Sequence, residues 1–434
     1  MNLRPFQIAL LTIFGVMAIV AIFLLSSYQN NRQADELVYG EQVIIWGTFD
    51  AGIMNRLFLN IAQEDKAFQA VQYREINPAS FDDEFVNAIA EGRSPDMIIL
   101  VSDDVVKHRA KLLPIPFETL SQRFLQDTYA DGASVFYRND GVYAIPLAVD
   151  PLVMYWNRDI FASNGLAQPP ATWEAVVASA APRTIIRDSN KNITQSGVAF
   201  GEYRNVFRAK DTLLLLALQS GSRLVQETER GYEVRLNENV ESGTRPPLEA
   251  TLEFFTNFSN VNSPLYSWNR ALPTDTQAFI SGDLAMYFGR GSEVQGISNK
   301  NPNLNFDVAM VPQSGSASAA RTFGTFYGFA IPRASGNRNG AYTAALKISS
   351  AKFADEFAVA YDMAPVRRDL ISNGAENSFR AVIVQSALTA RTWLDPDPEA
   401  SNDILMRMVE DVVSNRARVS NAVTDAINRL VLEY

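Results

Sequence analysis

From residue 42 to residue 101 the apolar positions change period repeatedly. The run Q-V-I-I-W-G-T-F is β-branched and bounded by polar residues, which predicts a strand, and A-G-I-M-N-R-L-F-L-N-I-A-Q-E-D-K-A-F then returns its apolar residues at helical spacing. F-Q-A-V-Q-Y-R-E-I reads as a second strand, F-D-D-E-F-V-N-A-I-A-E-G as a helix closed by Gly92, and P-D-M-I-I-L-V as a third strand. This β-α-β-α-β order predicts a parallel sheet with helices on its faces, whose ligands lie beyond the carboxyl ends of the strands. The loops carrying Thr48, Phe49 and Asp50, and Ser102 and Asp103, are therefore expected to face one crevice.

Farther along, A-V-D-P-L-V-M-Y-W-N-R-D-I-F sets Asp150 and Pro151 at the mouth of an apolar run. Helices are predicted in A-T-W-E-A-V-V-A-S-A-A, with Thr172 as cap and Glu174 in the first turn, in D-T-L-L-L-L-A-L-Q-S-G ending at Gly221, and in P-L-E-A-T-L-E-F-F-T-N-F-S-N and T-D-T-Q-A-F-I-S-G. L-A-M-Y-F-G-R-G, N-F-D-V-A-M-V-P and G-F-A-I-P read as strands. The chain closes in N-D-I-L-M-R-M-V-E-D-V-V-S-N-R-A-R-V-S-N-A-V-T-D-A-I-N-R-L-V-L-E-Y, helical in period throughout, and no internal repeat is visible.

Phe6 to Leu25 carries no charge and is long enough to cross a hydrocarbon core of about 30 Å. Arg4 before it and Asp35 and Glu36 after it place the N-terminus in the cytoplasm and the rest outside. L-L-S-S-Y-Q-N-N-R-Q-A holds no convincing cleavage site, so an uncleaved single-pass anchor is expected within residues 1–28, followed by a polar tether at 29–40.

Charge and composition narrow the chemistry. A net charge of -10 argues against nucleic acid, because no basic face is visible for phosphate. The absence of cysteine removes thiolate catalysis, disulfides and cysteine-held zinc. The single histidine, His108 in V-V-K-H-R-A-K, reads as a solvated surface residue, and no Ser-His or Cys-His constellation is available from one histidine and no cysteine. D-S-N-K-N-I-T alternates Asp188, Asn190 and Asn192 like the start of a calcium loop. It lacks the glycine at the sixth position, where Ile193 stands, and the glutamate at the twelfth, where Ala199 stands, so a polar turn is the better reading. No cofactor and no metal are expected.

Three segments in order resemble the family 1 extracellular solute-binding proteins, the maltose-binding-like receptors of ABC importers. They are G-V-Y-A-I-P-L-A-V-D-P-L-V-M-Y-W-N-R-D-I-F-A-S-N-G-L-A-Q-P-P-A-T-W-E-A-V, then T-Q-A-F-I-S-G-D-L-A-M-Y-F-G-R-G-S-E-V, then T-F-G-T-F-Y-G-F-A-I-P-R-A-S-G-N-R-N-G-A-Y-T-A-A-L-K-I-S-S, with P-V-R-R-D at Pro365 to Asp369 following. The resemblance covers residues 41–434 and implies a type II periplasmic-binding-protein-like α/β fold of two lobes, residues 41–148 with 325–364 and residues 149–324 with 365–434. It also implies a ligand held between the lobes, with Asp150 at a crossover.

Carried over by motif, the resemblance puts Trp46, Asp50, Ser102, Asp103, Asp150 and Tyr155 at crossovers and strand ends. Phe288, Arg290 and Ser292 follow L-A-M-Y, Phe326 and Tyr327 flank the return crossover, and Trp268 and Trp393 are candidate walls that could equally be core. Sugars need planar hydrogen-bonders and aromatic platforms, and these residue types supply both. Where the family often has a tryptophan after A-M, this chain has Arg290 and Glu293, so an acidic sugar or a peptide stays open. The implied function is a monomeric, membrane-anchored, extracytoplasmic receptor that passes a small solute, expected to be a sugar or oligosaccharide, to ABC permease subunits. The alternatives are a sensor or scaffold on the same fold, or a glycosidase using paired carboxylates.

Overall fold

A computed structural model describes residues 39–434, apart from 41, 230, 239–244, 316, 318 and 373–377. The anchor expected at Phe6 to Leu25, and the tether up to residue 38, lie outside the described residues. Among the described residues no helix is long and apolar enough to cross a membrane. The described residues form two compact units: one gathers those up to Ile98 with Ile331–Ile348, the other those of Ile99–Ala330 with Ser349–Tyr434.

The first unit follows the predicted alternation. Strand β1 (Val43–Gly47) leads to helix α1 (Ala51–Glu64), β2 (Val71–Glu75), α2 (Phe81–Ala90) and β3 (Met97–Val101). β1 lies between β2 and β3 and is parallel to both, with Val43 opposite Val71 and Ile45 opposite Met97. Asp50 caps α1 by accepting from the Ile53 N–H at 2.8 Å, which satisfies one of the orphan donors of the first turn. Past the end of α2, Gly92 adopts φ +68°, a left-handed conformation that costs glycine little. The helix Arg338–Ile348 returns to this unit through the buried Asp96, whose carboxylate accepts from the Ser335 hydroxyl at 2.9 Å and the Asn337 N–H at 3.2 Å.

The second unit is built around one strand. β4 (Ile145–Asn157) is thirteen residues long and buried at every position. Further elements of this unit are β5 (Ile193–Val198), α3 (Ala209–Gln219), the hairpin β6 (Val225–Thr228) and β7 (Gly231–Val234), α4 (Pro247–Thr256), α5 (Asp275–Ser281), β8 (Leu284–Arg290), β9 (Phe306–Ala309) and β10 (Thr322–Ala330). At Tyr155, β4 is flanked by Tyr287 of β8 and Val308 of β9, and at Val149 by Phe326 of β10 and Ala364, so both of its edges are paired around each of these two positions. Pro146, which cannot donate to a ladder, sits where the β4–β10 register shifts, the kind of irregularity that tolerates proline. This explains how Pro146 can stand in a central strand.

Several local expectations hold. Thr172 caps its helix by accepting from the Ala175 N–H, and Gly221 ends α3 at positive φ; beyond what the sequence predicted, Thr274 and Gln277 form a reciprocal capping box on α5, which Gly282 ends at positive φ. The Asp188 stretch is a hairpin turn before β5, its carboxylate accepting from the Asn190 and Asn192 N–H groups at 2.8 Å.

Others are corrected. His108 is 1 % exposed, not solvated, because the short helix Val105–His108 turns both of its end residues inward. The C-terminal stretch is not one helix but two, α6 (Pro398–Val413) and α7 (Val419–Glu433), broken where Asn415 takes φ +57°.

Candidate functional site

The second unit gathers charged and hydroxylated side chains about the ends of β4, β8 and α3. The register that sets Arg290 opposite Leu152 carries the chain on until Ser292 stands beside Asp150. Ser292 then donates twice to the buried Asp150 carboxylate, from its N–H at 3.0 Å and its hydroxyl at 2.5 Å. Burial pushes the Asp150 carboxyl above the usual carboxylate range, against the pull of Arg290 and of the two Ser292 bonds. The Tyr155 hydroxyl closes the corner by donating to the Arg290 carbonyl at 2.6 Å.

Arg290 crosses to α3. Its Nε and Nη2 both donate to Oδ2 of Asp211, at 3.1 and 2.9 Å. Burial opposes ionisation of Asp211, but the charges of Arg290 and Arg208 outweigh it and hold the carboxyl below its ordinary value. The same pairing raises the Arg290 pKa despite its burial, so the ion pair stays charged. Nη1 of Arg290 has no hydrogen-bond partner among the described residues. Glu293, which follows Ser292, is occupied structurally: it accepts from Arg208 Nε at 2.9 Å, from the Arg290 N–H at 3.2 Å and from the Tyr287 hydroxyl.

Next to this cluster, Lys210 donates to Asp395 and to the Ser401 hydroxyl, and its ammonium lies 5.5 Å from the centre of the Trp393 ring. Burial pushes Asp395 up, and Asp103 adds to the push while Lys210 resists it. Ser102 bonds Asp103 at 2.8 Å, sits 3.3 Å from the Thr392 hydroxyl, and accepts from the Phe326 N–H at 3.1 Å. Tyr327, partly buried, is close enough to Arg290, Asp150 and Asp103 for all three to act on its phenol, whose pKa is raised chiefly by burial.

Of the residues proposed from sequence, the second unit thus brings together Ser102, Asp103, Asp150, Tyr155, Arg290, Ser292, Phe326, Tyr327 and Trp393. Tyr155 and Phe326 are fully buried and act as scaffold. Trp393 is 2 % exposed and donates to the Tyr434 hydroxyl at 2.9 Å. Trp268, which the sequence left open as wall or core, and Phe288, expected in the turn after L-A-M-Y, both pack in the core. Trp268 is 0 % exposed, its indole N–H given to Asn205 at 3.1 Å, and Phe288 is wedged between Trp173 and Phe200, with ring centres at 5.4 and 5.1 Å. Their size is consumed by packing.

Trp46 and Asp50 belong to the first unit. The Trp46 ring carries the Arg74 guanidinium at 5.0 Å, and Asp50 is the α1 cap described above.

Arg208, Lys210, Asp211 and Asp395 were not anticipated. The signal was present in F-R-A-K-D, a burst of charge at the threshold of a leucine-rich helix, where solvated charge is not the expected content of a buried segment.

A profile of bacterial extracellular solute-binding proteins matches residues 65–367, more than half of the chain. The chain belongs to the bacterial extracellular solute-binding proteins. Solved structures share its fold. A cyclo/maltodextrin-binding protein complexed with maltotetraose aligns with a TM-score of 0.71 at 14% identity, over 90% of this chain and 96% of that one. The GacH receptor of Streptomyces glaucescens, determined unliganded and with acarbose, gives 0.68 at 16% identity over 91% and 99%. An ABC transporter solute-binding protein from Thermotoga lettingae bound with α-D-tagatose gives 0.64 at 16% identity over 90% and 99%. No curated protein sequence matches the chain. As a solute-binding protein it is not an enzyme, and the family's extracellular character places its function outside the cytoplasm.

Proposed function

We propose that this solute-binding protein is the receptor of an ABC importer, anchored in the cell membrane by residues 6–25, and that it captures a small sugar or oligosaccharide for permease subunits. The observation that carries the reading is Arg290, fixed on Asp211 by two N–H groups while Nη1 remains without a partner. A guanidinium held in place can meet a hydroxyl with little further ordering, and preorganised polar groups are what distinguish a ligand site from a surface charge. Asp103 and Tyr327 beside it add an acceptor and a phenol. The ligands named for the similar solved structures, maltotetraose, acarbose and tagatose, are all polyhydroxylated, which supports the same class here.

A thermal-shift panel tests this. Maltose, maltotetraose, acarbose and tagatose are titrated into the chain, and a ligand that binds only the folded state stabilises it by an amount that grows with the logarithm of its excess, about 2.7 kcal/mol at a hundredfold excess over Kd, which is read as a rise in melting temperature. The response should be lost in Arg290→Met. A panel of sugars without any saturable shift would remove the carbohydrate reading.

A further inference from the structure

A cavity of about 150 Å³ in the second unit is lined by Gly132, Ser134, Arg138, Arg223, Arg391 and Trp393, among others. Three guanidiniums on so small a space are unexpected in a chain of net charge -10. Arg138 is only 8 % exposed, and its Nε has no hydrogen-bond partner. Its other nitrogens donate to the Ser134 and Val135 carbonyls at 3.0 and 2.8 Å and to Glu227 at 3.4 Å. Arg223 makes no hydrogen bond or ion pair among the described residues. It precedes Leu224, a buried residue at φ +54°, a backbone state that non-glycine residues adopt at a cost and that here fixes the turn into β6. Arg391 is anchored from behind, by the Ala390 carbonyl at 2.8 Å and Asp131 at 2.8 Å.

The acids nearby do not neutralise this group. Glu227 is shared between Arg138 and Arg109, Asp131 between Arg391 and Arg368, and Asp140 is paired with Arg109. Five guanidiniums therefore meet three carboxylates. A buried cation lacking full compensation is costly unless an anion completes it. Arginine is also the side chain best shaped to hold carboxylate or phosphate oxygens in pairs.

We propose that this cavity is a second binding site, for a small oxyanion, with Arg138, Arg223 and Arg391 as its donors. The oxyanion is either a free inorganic ion or the acidic group of a charged solute. Gly132 is part of the design: a Cβ there would come 2.5 Å from the Ala390 carbonyl, so the wall can lie this close to the Arg391 backbone only with glycine. The cavity shares Trp393 with the Arg290 cluster but none of that cluster's charged groups, and its test does not depend on which sugar, if any, is bound there.

Melting temperature is followed against inorganic phosphate, glucose 6-phosphate and glucuronate, each compared with sodium chloride at equal ionic strength. At least one should give a saturable rise that Arg223→Ala weakens by about tenfold and Arg223→Glu abolishes, as expected for loss of one charge-assisted donor. Because Arg223 is exposed and without a partner, both variants should fold with the unliganded melting temperature of the parent, and their response to neutral sugars should be unchanged. A response to phosphate alone assigns the site to a free ion, and a response only to the sugar acids assigns it to an acidic solute. No saturable response to any of the three, or a response untouched by both substitutions, overturns the proposal.

Discussion

Asp150 and Ser292 are joined at two points: one carboxylate oxygen takes the Ser292 N–H at 3.0 Å and the other its hydroxyl at 2.5 Å. The acid that stands oddly inside the buried strand β4 is thus the acceptor that ends β8 and orients the turn carrying Arg290. It positions a neighbour, and its own oxygens are already engaged.

Asp150→Ala should therefore cost stability, since it strands a partly buried N–H and hydroxyl, at about 1–3 kcal/mol for a lost acceptor. Asp150→Asn keeps one acceptor oxygen and should cost less. Urea unfolding of both variants measures the difference, and equal stabilities for Asp150→Ala and the parent would show that Ser292 finds another partner.

Removing one side of the Arg290–Asp211 pair leaves a charge buried without its counter-ion, so Arg290→Met should destabilise by about 3–5 kcal/mol. Arg290→Met combined with Asp211→Leu should recover much of that loss, because neither charge remains. Solute binding should not recover with it. A double variant that regains both would mean Arg290 serves the fold alone.

Asp275 gives a pH dependence of defined sign. Burial pushes its carboxyl up to about 6, against hydrogen bonds from the Phe207 and Thr276 N–H groups, while Glu293 adds to the rise. From about 4 to about 6 the folded state binds more protons here than the unfolded chain, so this contribution to stability is complete below about 4 and is lost as pH rises through about 6. A shift of this size corresponds to about 3 kcal/mol. Asp275→Asn should flatten the fall in unfolding free energy over that window, read from denaturant melts at stepped pH, and an unaltered profile would assign the dependence to another group.

The proposed anchor is checked by fractionation. The full chain should sediment with membranes and resist extraction by high salt, and the chain beginning at residue 37 should be recovered in the aqueous fraction. Full-length chain in the aqueous fraction, or a truncated chain that still sediments, would each contradict a single N-terminal anchor.

The parallel strands of the first unit were legible because their period and their stops agree: Val43–Gly47 is β-branched, and Gly92 marks the end of a helix whose first turn carries Asp82, Asp83 and Glu84. Asp150 and Arg290 were legible from motif order. Arg208, Lys210 and Asp395 were not, since nothing local tells a charge at a helix start that it will meet a carboxylate almost two hundred residues away, as Lys210 meets Asp395. The hairpin Val225–Val234 escaped for a different reason. Its faces are largely solvated, which weakens the apolar alternation by which a strand is recognised. His108 shows the limit of polarity as a guide to burial, because a four-residue helix can turn inward a ring that its basic neighbours make look exposed.

The long strand β4 also fixes a timetable for synthesis. Its Ala148 pairs with Pro365 and its Val149 with Ala364, so the last strand to complete it is made more than two hundred residues later. At about 5–20 residues per second the ribosome needs roughly 10 to 40 s to supply that partner. During this interval β4, buried at all thirteen positions of the finished fold, still lacks its partner at Ala148 and Val149, although the strands that flank it elsewhere are made sooner. Such distant pairing also folds slowly once the chain is complete. The strand order thus delays completion of the pairing of β4 until all but about the last seventy residues have been made.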